Sequence, residues 1–276
     1  MCYYPISLNA RATKEGVYIP PSLVPCGRCI ECLQTKRASW SFRLKQELIK
    51  AKSATFLTLT LNDEHLKKIE NCGKYYATLE KKLLQDYFKR VRKYNKHKLK
   101  YFAVGEYGEK NNRPHYHAIV FNSDNNLLRE KWGDYGFVST DNVSDASIHY
   151  VTGYVLKKYG EIDEISGISK ETYSPGLQPP FSIMSKGLGL SYVNSAKDYH
   201  ISNQTFKTQK GAQSGYLSRY LKSKIFESNE LLRLQITEQE KQKITDDLKQ
   251  KMKTGKVSSK RYYKELIKHS QKKKKL

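Results

Sequence analysis

Long apolar runs are missing from this sequence: none approaches the roughly 20 residues needed to cross a bilayer. The first residues, Met1-Cys2-Tyr3-Tyr4-Pro5, also lack the basic-then-apolar order of a signal peptide. Both absences lead to the expectation of a soluble intracellular protein with no membrane partner. Acidic residues are scarce beside basic ones, 27 against 50, so the 276-residue chain carries a formal net charge of +23. That imbalance argues for a polyanionic partner; the bland alternative is charge kept for solubility or ribosome association. Cysteine is limited to five residues, which in an intracellular chain argues against structural disulfides and leaves a metal role open. Gly-x-x-x-x-Gly-Lys-Ser/Thr, the phosphate loop of nucleotide-driven motors, does not occur. Phenylalanine is outnumbered by tyrosine, 9 to 21, which suggests many half-wet aromatic positions on which bases can stack.

The chain reads as mixed α and β. Residues 1 to about 34 are irregular and rich in Pro and Cys. A helix is expected from about Gln34 to Lys52, with Trp40, Leu44, Leu48 and Ala51 on one core-facing side. Ala54 to Leu61 alternates as a strand, with Leu57, Leu59 and Leu61 on one face and Phe56, Thr58 and Thr60 on the other. An amphipathic helix follows from Leu79 to about Tyr94. Lys100–Gly105 and His115–Phe121 read as an antiparallel hairpin joined by a polar turn. A weak strand is expected near Gly136-Phe137-Val138 and a helix from about His149 to Tyr159. Residues 160 to 200 read as a long loop or lid, with basic helices near Gln213–Phe226 and Ser228–Lys253. The closing lysine run at residues 272–275 reads as a solvated tail that adds non-specific affinity for phosphates. The resulting division is a Cys-rich segment with the first helix (1–52), a core (53–160), a Gly/Pro-rich loop with a basic helix (161–226), and a basic helical tail (227–276).

The chemistry concentrates in Arg113-Pro114-His115-Tyr116-His117. In a strand, residues i and i+2 share a face, so His115 and His117 present two imidazoles side by side. Alone, His-x-His is more often structural; the hairpin adds Glu106 from the preceding strand, giving two histidines and one carboxylate with open positions for phosphate oxygens and water. This donor set suits Mg²⁺ or Mn²⁺. Glu109 and Asp63 are rival carboxylates. Downstream, Tyr150 and Tyr154 stand four apart on one helix face, with Lys157 and Lys158 one turn on. A phenol with a pKa near 10 needs a neighbouring cation to act as a nucleophile, which the lysines and the metal can supply. Gly153 between the tyrosines costs the helix up to about 1 kcal/mol against alanine, a cost that close approach of a DNA backbone would explain. The bland alternative makes Tyr150 and Tyr154 ordinary core.

These blocks, in the order Phe56-Leu57-Thr58-Leu59-Thr60, Pro114-His115-Tyr116-His117 and Tyr-x-x-x-Tyr-x-x-Lys, resemble the three motifs of rolling-circle initiators of the HUH endonuclease superfamily. Over roughly residues 1–225 the chain resembles more closely the replication initiators of microviruses, especially the gokushovirus-like branch. That likeness rests on the Cys26-x-x-Cys29-x-x-Cys32 run before Trp40, the Gly-Glu-Tyr-Gly and Arg-Pro-His-Tyr-His blocks, the Tyr-Val-x-x-Tyr-Val-x-Lys-Lys block, and Phe181 to Gly187. The resemblance implies an α+β fold with an antiparallel RRM-like or ferredoxin-like sheet flanked by helices, Glu106 as third metal ligand, and packing duty for the first-motif threonines. It implies site-specific nicking of single-stranded origin DNA by tyrosine attack, a 5′-phosphotyrosine link with a 3′-OH, and rejoining by the second tyrosine. It also implies the host bacterial cytoplasm as the setting, with host helicase and DNA polymerase as partners because no phosphate loop is present.

Cys26, Cys29 and Cys32, with Cys2 as a fourth thiolate, make a candidate structural Zn²⁺ site; three reduced thiols opening a helix is the alternative. Rival functions are a non-catalytic basic nucleic-acid-binding protein with an RRM-like sheet, which needs neither the Glu/His set nor the tyrosines, a hydrolase using activated water, and a transposase of the same superfamily.

Overall fold

The computed structural model describes residues 6–12, 16, 18–19, 22–71, 73–108, 111–157, 176–208 and 215–253. The chain divides into two compact units, one of residues 1–161 and 169–192, the other of residues 162–168 and 193–276.

The first unit opens with short strands β1 (Ile6–Leu8), β2 (Arg11–Ala12), β3 (Tyr18–Ile19) and β4 (Ser22–Val24), where β1 pairs with β4 and β2 with β3. Helix α1 (Ile30–Lys50) follows, so the helix starts four residues before the expected point. Next come β5 (Ala54–Thr60), the hairpin β6 (Lys68–Asn71) and β7 (Lys74–Ala77), α2 (Lys81–Tyr94), β8 (Lys100–Tyr107), β9 (Pro114–Phe121), α3 (Asn125–Trp132), β10 (Val138–Asn142), α4 (Asp145–Lys157) and β11 (Phe181–Met184). The main sheet has the order β10-β5-β9-β8-β11 with every pairing antiparallel, so the fold is α+β as expected.

Alternation along the strands explains the layering. Leu57, Leu59, Tyr101, Ala103, Tyr116 and Ala118 pack on one face against Leu84, Tyr87, Phe88 and Val91 of α2 and Leu128 and Trp132 of α3. Phe102, Val104, Ile119 and Phe121 pack on the other face with Leu44 of α1 and Ile148, Val151 and Tyr154 of α4; Trp40, Leu48 and Ala51 join them, the side expected from helical spacing. Because helices cover both faces, β9 can be apolar at consecutive positions from Ala118 to Phe121.

Three elements depart from the expected pattern. The β6–β7 hairpin has exposed tyrosines, Tyr75 and Tyr76, and therefore no apolar alternation to betray it. Helix α3 is short and is set by Asp124, whose carboxylate accepts from the backbone N–H of Asn126 and Leu127. Part of the segment expected to be a loop forms β11 and α5 (Ser191–Ser202), because Phe181 and Ile183 extend the sheet beside β8.

The second unit contains most of α5, with α6 (Arg219–Ile225) and α7 (Glu230–Lys253). Its core is made of Phe206, Leu221, Ile225, Phe226 and Ile236, with the Phe206 and Phe226 rings edge to face at 5.6 Å. The Ser218 hydroxyl accepts from Leu221 N–H at 3.2 Å and starts α6 six residues later than expected. No helix among the described residues is long and apolar enough to cross a membrane.

Candidate metal and nucleophile site

Strand register assembles the site. Glu106 of β8 lies directly opposite His115 of β9, and Thr58 of β5 lies directly opposite His117. All four project from the face covered by α1 and α4. One Glu106 carboxylate oxygen, Oε1, stands 2.9 Å from His115 Nε2 and 3.1 Å from His117 Nε2. The three ligand atoms lie within 4.8 Å of one another.

The outer nitrogens fix the ring orientation. His115 Nδ1 is 3.1 Å from the Arg113 carbonyl, which can only accept, so Nδ1–H is the donor and Nε2 turns inward as an acceptor. His117 Nδ1 meets Thr58 Oγ1 at 3.0 Å, and the Phe56 ring stacks on this imidazole at 5.8 Å between centroids. Outer partners of this kind orient metal-binding histidines and set their basicity. With Nδ1–H donating, imidazole lone pairs and a carboxylate oxygen converge on one point, an arrangement that calls for a cation. The separations of 2.9 and 3.1 Å match the edge of about 3.0 Å for octahedral coordination at ~2.1 Å. The residues therefore fit a divalent ion with two nitrogen ligands and one oxygen ligand. Burial by itself pushes the Glu106 carboxyl up, but hydrogen bonds from His115, His117 and Tyr154 outweigh it and hold the group at about 2.

The two tyrosines are not equivalent. Tyr150 is 47% exposed, yet its hydroxyl lies 3.5 Å from Glu106 Oε1 and 3.4 Å from His117 Nε2. Tyr154, one turn on, is 6% exposed; its ring lies parallel to His117 at 6.0 Å and its hydroxyl bonds Glu106 and Tyr150. Burial, then those hydrogen bonds to Glu106 and Tyr150, raises the Tyr154 phenol above its ordinary range. An exposed hydroxyl at the edge of the ligand cluster can reach a phosphate; a buried one serving as donor to Glu106 has first to leave it.

Helix α1 sets where α4 sits. The Arg37 guanidinium donates to the His149 carbonyl at 3.0 Å, one residue before Tyr150, and Ser41 Oγ and Thr152 Oγ1 share a buried hydrogen bond of 2.9 Å. Gly153 faces Arg37, and a Cβ there would meet the guanidinium at an ordinary 3.8 Å. That side of α4 is thus lined by α1, which corrects the expectation that Gly153 marks an approach of DNA.

Of the other expected residues, Lys157 is the last residue of α4. Its side chain, and Lys158, Glu109 and Cys2 altogether, lie outside the described residues. Asp63 is drawn away by Arg113, whose guanidinium it meets at 2.7 Å, and takes no part in the cluster. Cys26, Cys29 and Cys32 are gathered with their sulfurs within 4.8 Å. Thr58 and Arg37 were not expected at the site. The face of Thr58 was legible from alternation, but its partner follows only from the β5–β9 pairing; Arg37 carries no local signal.

Comparison with known proteins points the same way. The family profile for the phage replication-associated protein ORF2 matches residues 54–159. The replication-associated protein ORF2 of Spiroplasma virus 4 is 30% identical over 235 residues, covering 76% of this chain and 70% of that protein. The replication-associated protein ORF4 of Chlamydia phage 1 is 27% identical over 228 residues, and the replication-associated protein VP4 of Bdellovibrio phage phiMH2K is 28% identical over 183 residues. The chain spans 52% and 58% of the lengths of those two. No solved structure matches the chain significantly. With the matched segment carrying the Glu/His cluster and both tyrosines, the chain belongs to the phage replication-associated protein family, the microvirus replication initiators that its motifs resemble.

Proposed function

We propose that this initiator nicks one strand of its viral origin DNA through covalent attack by Tyr150 and later rejoins the strand. The observation that carries the reading is the position of the Tyr150 hydroxyl, exposed to solvent yet within 3.5 Å of Glu106 Oε1 and His117 Nε2. Glu106, His115 and His117 would hold Mg²⁺ or Mn²⁺, which when bound supplies positive charge to the scissile phosphate.

The protein's own part follows from the geometry. Thr58 and the Arg113 carbonyl keep both imidazoles aimed inward. The contacts of Arg37 and Ser41 hold α4 so that Tyr150 faces the cluster. As the phenol gives up its proton, its oxygen forms a bond to phosphorus and the bond to the 3′ oxygen breaks. That oxygen takes up a proton, leaving a 3′-OH and a 5′-phosphotyrosine. Rejoining is the reverse, with a 3′-OH attacking the phosphotyrosine. Tyr150 makes the first cut because it is the accessible phenol. Tyr154 takes the second after its hydroxyl exchanges Glu106 for DNA, and Lys157 and Lys158 neutralise phosphate charge nearby.

The net charge of +23 supports binding to the origin strand. The 3′-OH then primes host polymerase while host helicase separates the strands, in the bacterial host cell. A labelled single-stranded oligonucleotide from the viral origin, incubated with the protein and Mn²⁺, should yield a band at protein-plus-DNA mass on a denaturing gel. Cleavage without that band assigns the attack to water, and binding without cleavage assigns the protein a non-catalytic role.

A further inference from the structure

We infer that Cys26, Cys29 and Cys32 bind a single Zn²⁺ through three thiolates at the start of α1, separate from the Glu106/His115/His117 cluster. The sulfurs are gathered by the backbone. Gly27 adopts φ +76, a left-handed turn that costs a glycine little. That turn brings Cys29 N–H to 3.3 Å from Cys26 Sγ. Cys29 then takes the N-cap position of α1 with no side-chain cap bond, leaving its sulfur available for another role, and Cys32 falls in the first helical turn.

The distances select the occupant. Cys26 Sγ and Cys32 Sγ are 4.0 Å apart and all three sulfurs lie within 4.8 Å. A disulfide requires about 2.05 Å, so these thiols are not bonded to one another. Tetrahedral zinc with bonds of ~2.3 Å places its sulfurs about 3.8 Å apart, close to the separation seen. In a cubane iron–sulfur cluster each cysteine binds a different iron and the sulfurs stand wider. The charge also fits: three thiolates and Zn²⁺ sum to −1, beside the positive end of the α1 dipole and the N–H donor of Cys29. Binding releases the three thiol protons, so affinity rises with pH.

The consequence, which rests on the Tyr150 reading, concerns alignment. Zinc would join the β4 end to α1, and α1 carries Arg37 and Ser41, whose bonds to His149 and Thr152 set α4. The ion would thus act as a positioning element for the nucleophile.

The test uses the full-length protein and reads the metal directly. Elemental analysis of protein expressed with zinc should find about one Zn²⁺ per chain that a thiol-blocking mercurial releases. Replacing zinc with Co²⁺ should give an intense near-ultraviolet thiolate-to-cobalt absorption, retained in His115→Ala/His117→Ala and lost in Cys26→Ser/Cys32→Ser. Absence of that absorption in wild-type protein, with all three thiols reacting equally fast with and without Zn²⁺, overturns the inference. Neither readout depends on nicking, so failure here and failure of the nicking reading are distinguishable.

Discussion

Thr58→Val isolates the support of the metal site from its ligands. Valine keeps the shape and β-branching of threonine and suits a strand, so β5 should pair as before. The hydroxyl is lost, and with it the 3.0 Å partner of His117 Nδ1, at a histidine only 6% exposed. The imidazole is then free to tilt, and a buried N–H without a partner costs about 1–3 kcal/mol. Loss of an outer partner of a metal-binding histidine typically weakens metal binding about 10–100-fold, or ~1.4–2.8 kcal/mol. Mn²⁺ affinity measured by electron paramagnetic resonance or calorimetry should fall by that factor in Thr58→Val and return close to wild type in Thr58→Ser, which restores the oxygen. Wild-type Mn²⁺ affinity in Thr58→Val, with the fold intact, would refute the idea that Thr58 aims His117.

Other expectations follow from single groups. Tyr150→Phe should abolish the covalent adduct, whereas Tyr154→Phe should still form it in a single-cut assay and lose the exchange of one bound strand for another. Leu57→Ala, at a fully buried position in the main sheet, should cost about 2–5 kcal/mol in urea unfolding without altering Mn²⁺ stoichiometry. In the second unit, burial lowers the Lys222 ammonium to about 8 beneath its ordinary 10.5, Glu240 opposing, while the amine lies over the Phe206 ring at 3.8 Å. The unfolded chain therefore binds more protons between pH 8 and 10.5, so stability should rise across that window. Lys222→Met should flatten the rise and stabilise the protein below pH 8, as read by melting temperature.

The site was legible where it depends on short-range periodicity. His115 and His117 share a face because they are two apart in a strand, and a short hairpin was enough to bring Glu106 opposite His115. Tyr150 and Tyr154 share a helix face for the same kind of reason. Long-range packing was not legible. Nothing local reveals that β5 pairs with β9 and so sets Thr58 against His117, that Arg37 caps a carbonyl 112 residues away, or that Tyr154 is buried and Tyr150 exposed. The pair of equivalent tyrosines suggested by spacing became an ordered pair only once the fold buried one of them. Elements whose apolar content is spent on tertiary contacts rather than on amphipathic repeats, β11 and α3, escape detection for the same reason.

The most direct measurement is to digest the Mn²⁺-formed protein–DNA adduct with trypsin and nuclease and locate the nucleotide by fragment-ion mass spectrometry, since Tyr150 and Tyr154 share one tryptic peptide. The account predicts the residual nucleotide on Tyr150. A nucleotide on Tyr154 in adducts from a single cut would contradict the exposure-based assignment of the first nucleophile, and an unmodified peptide beside cleaved DNA would contradict tyrosine attack altogether.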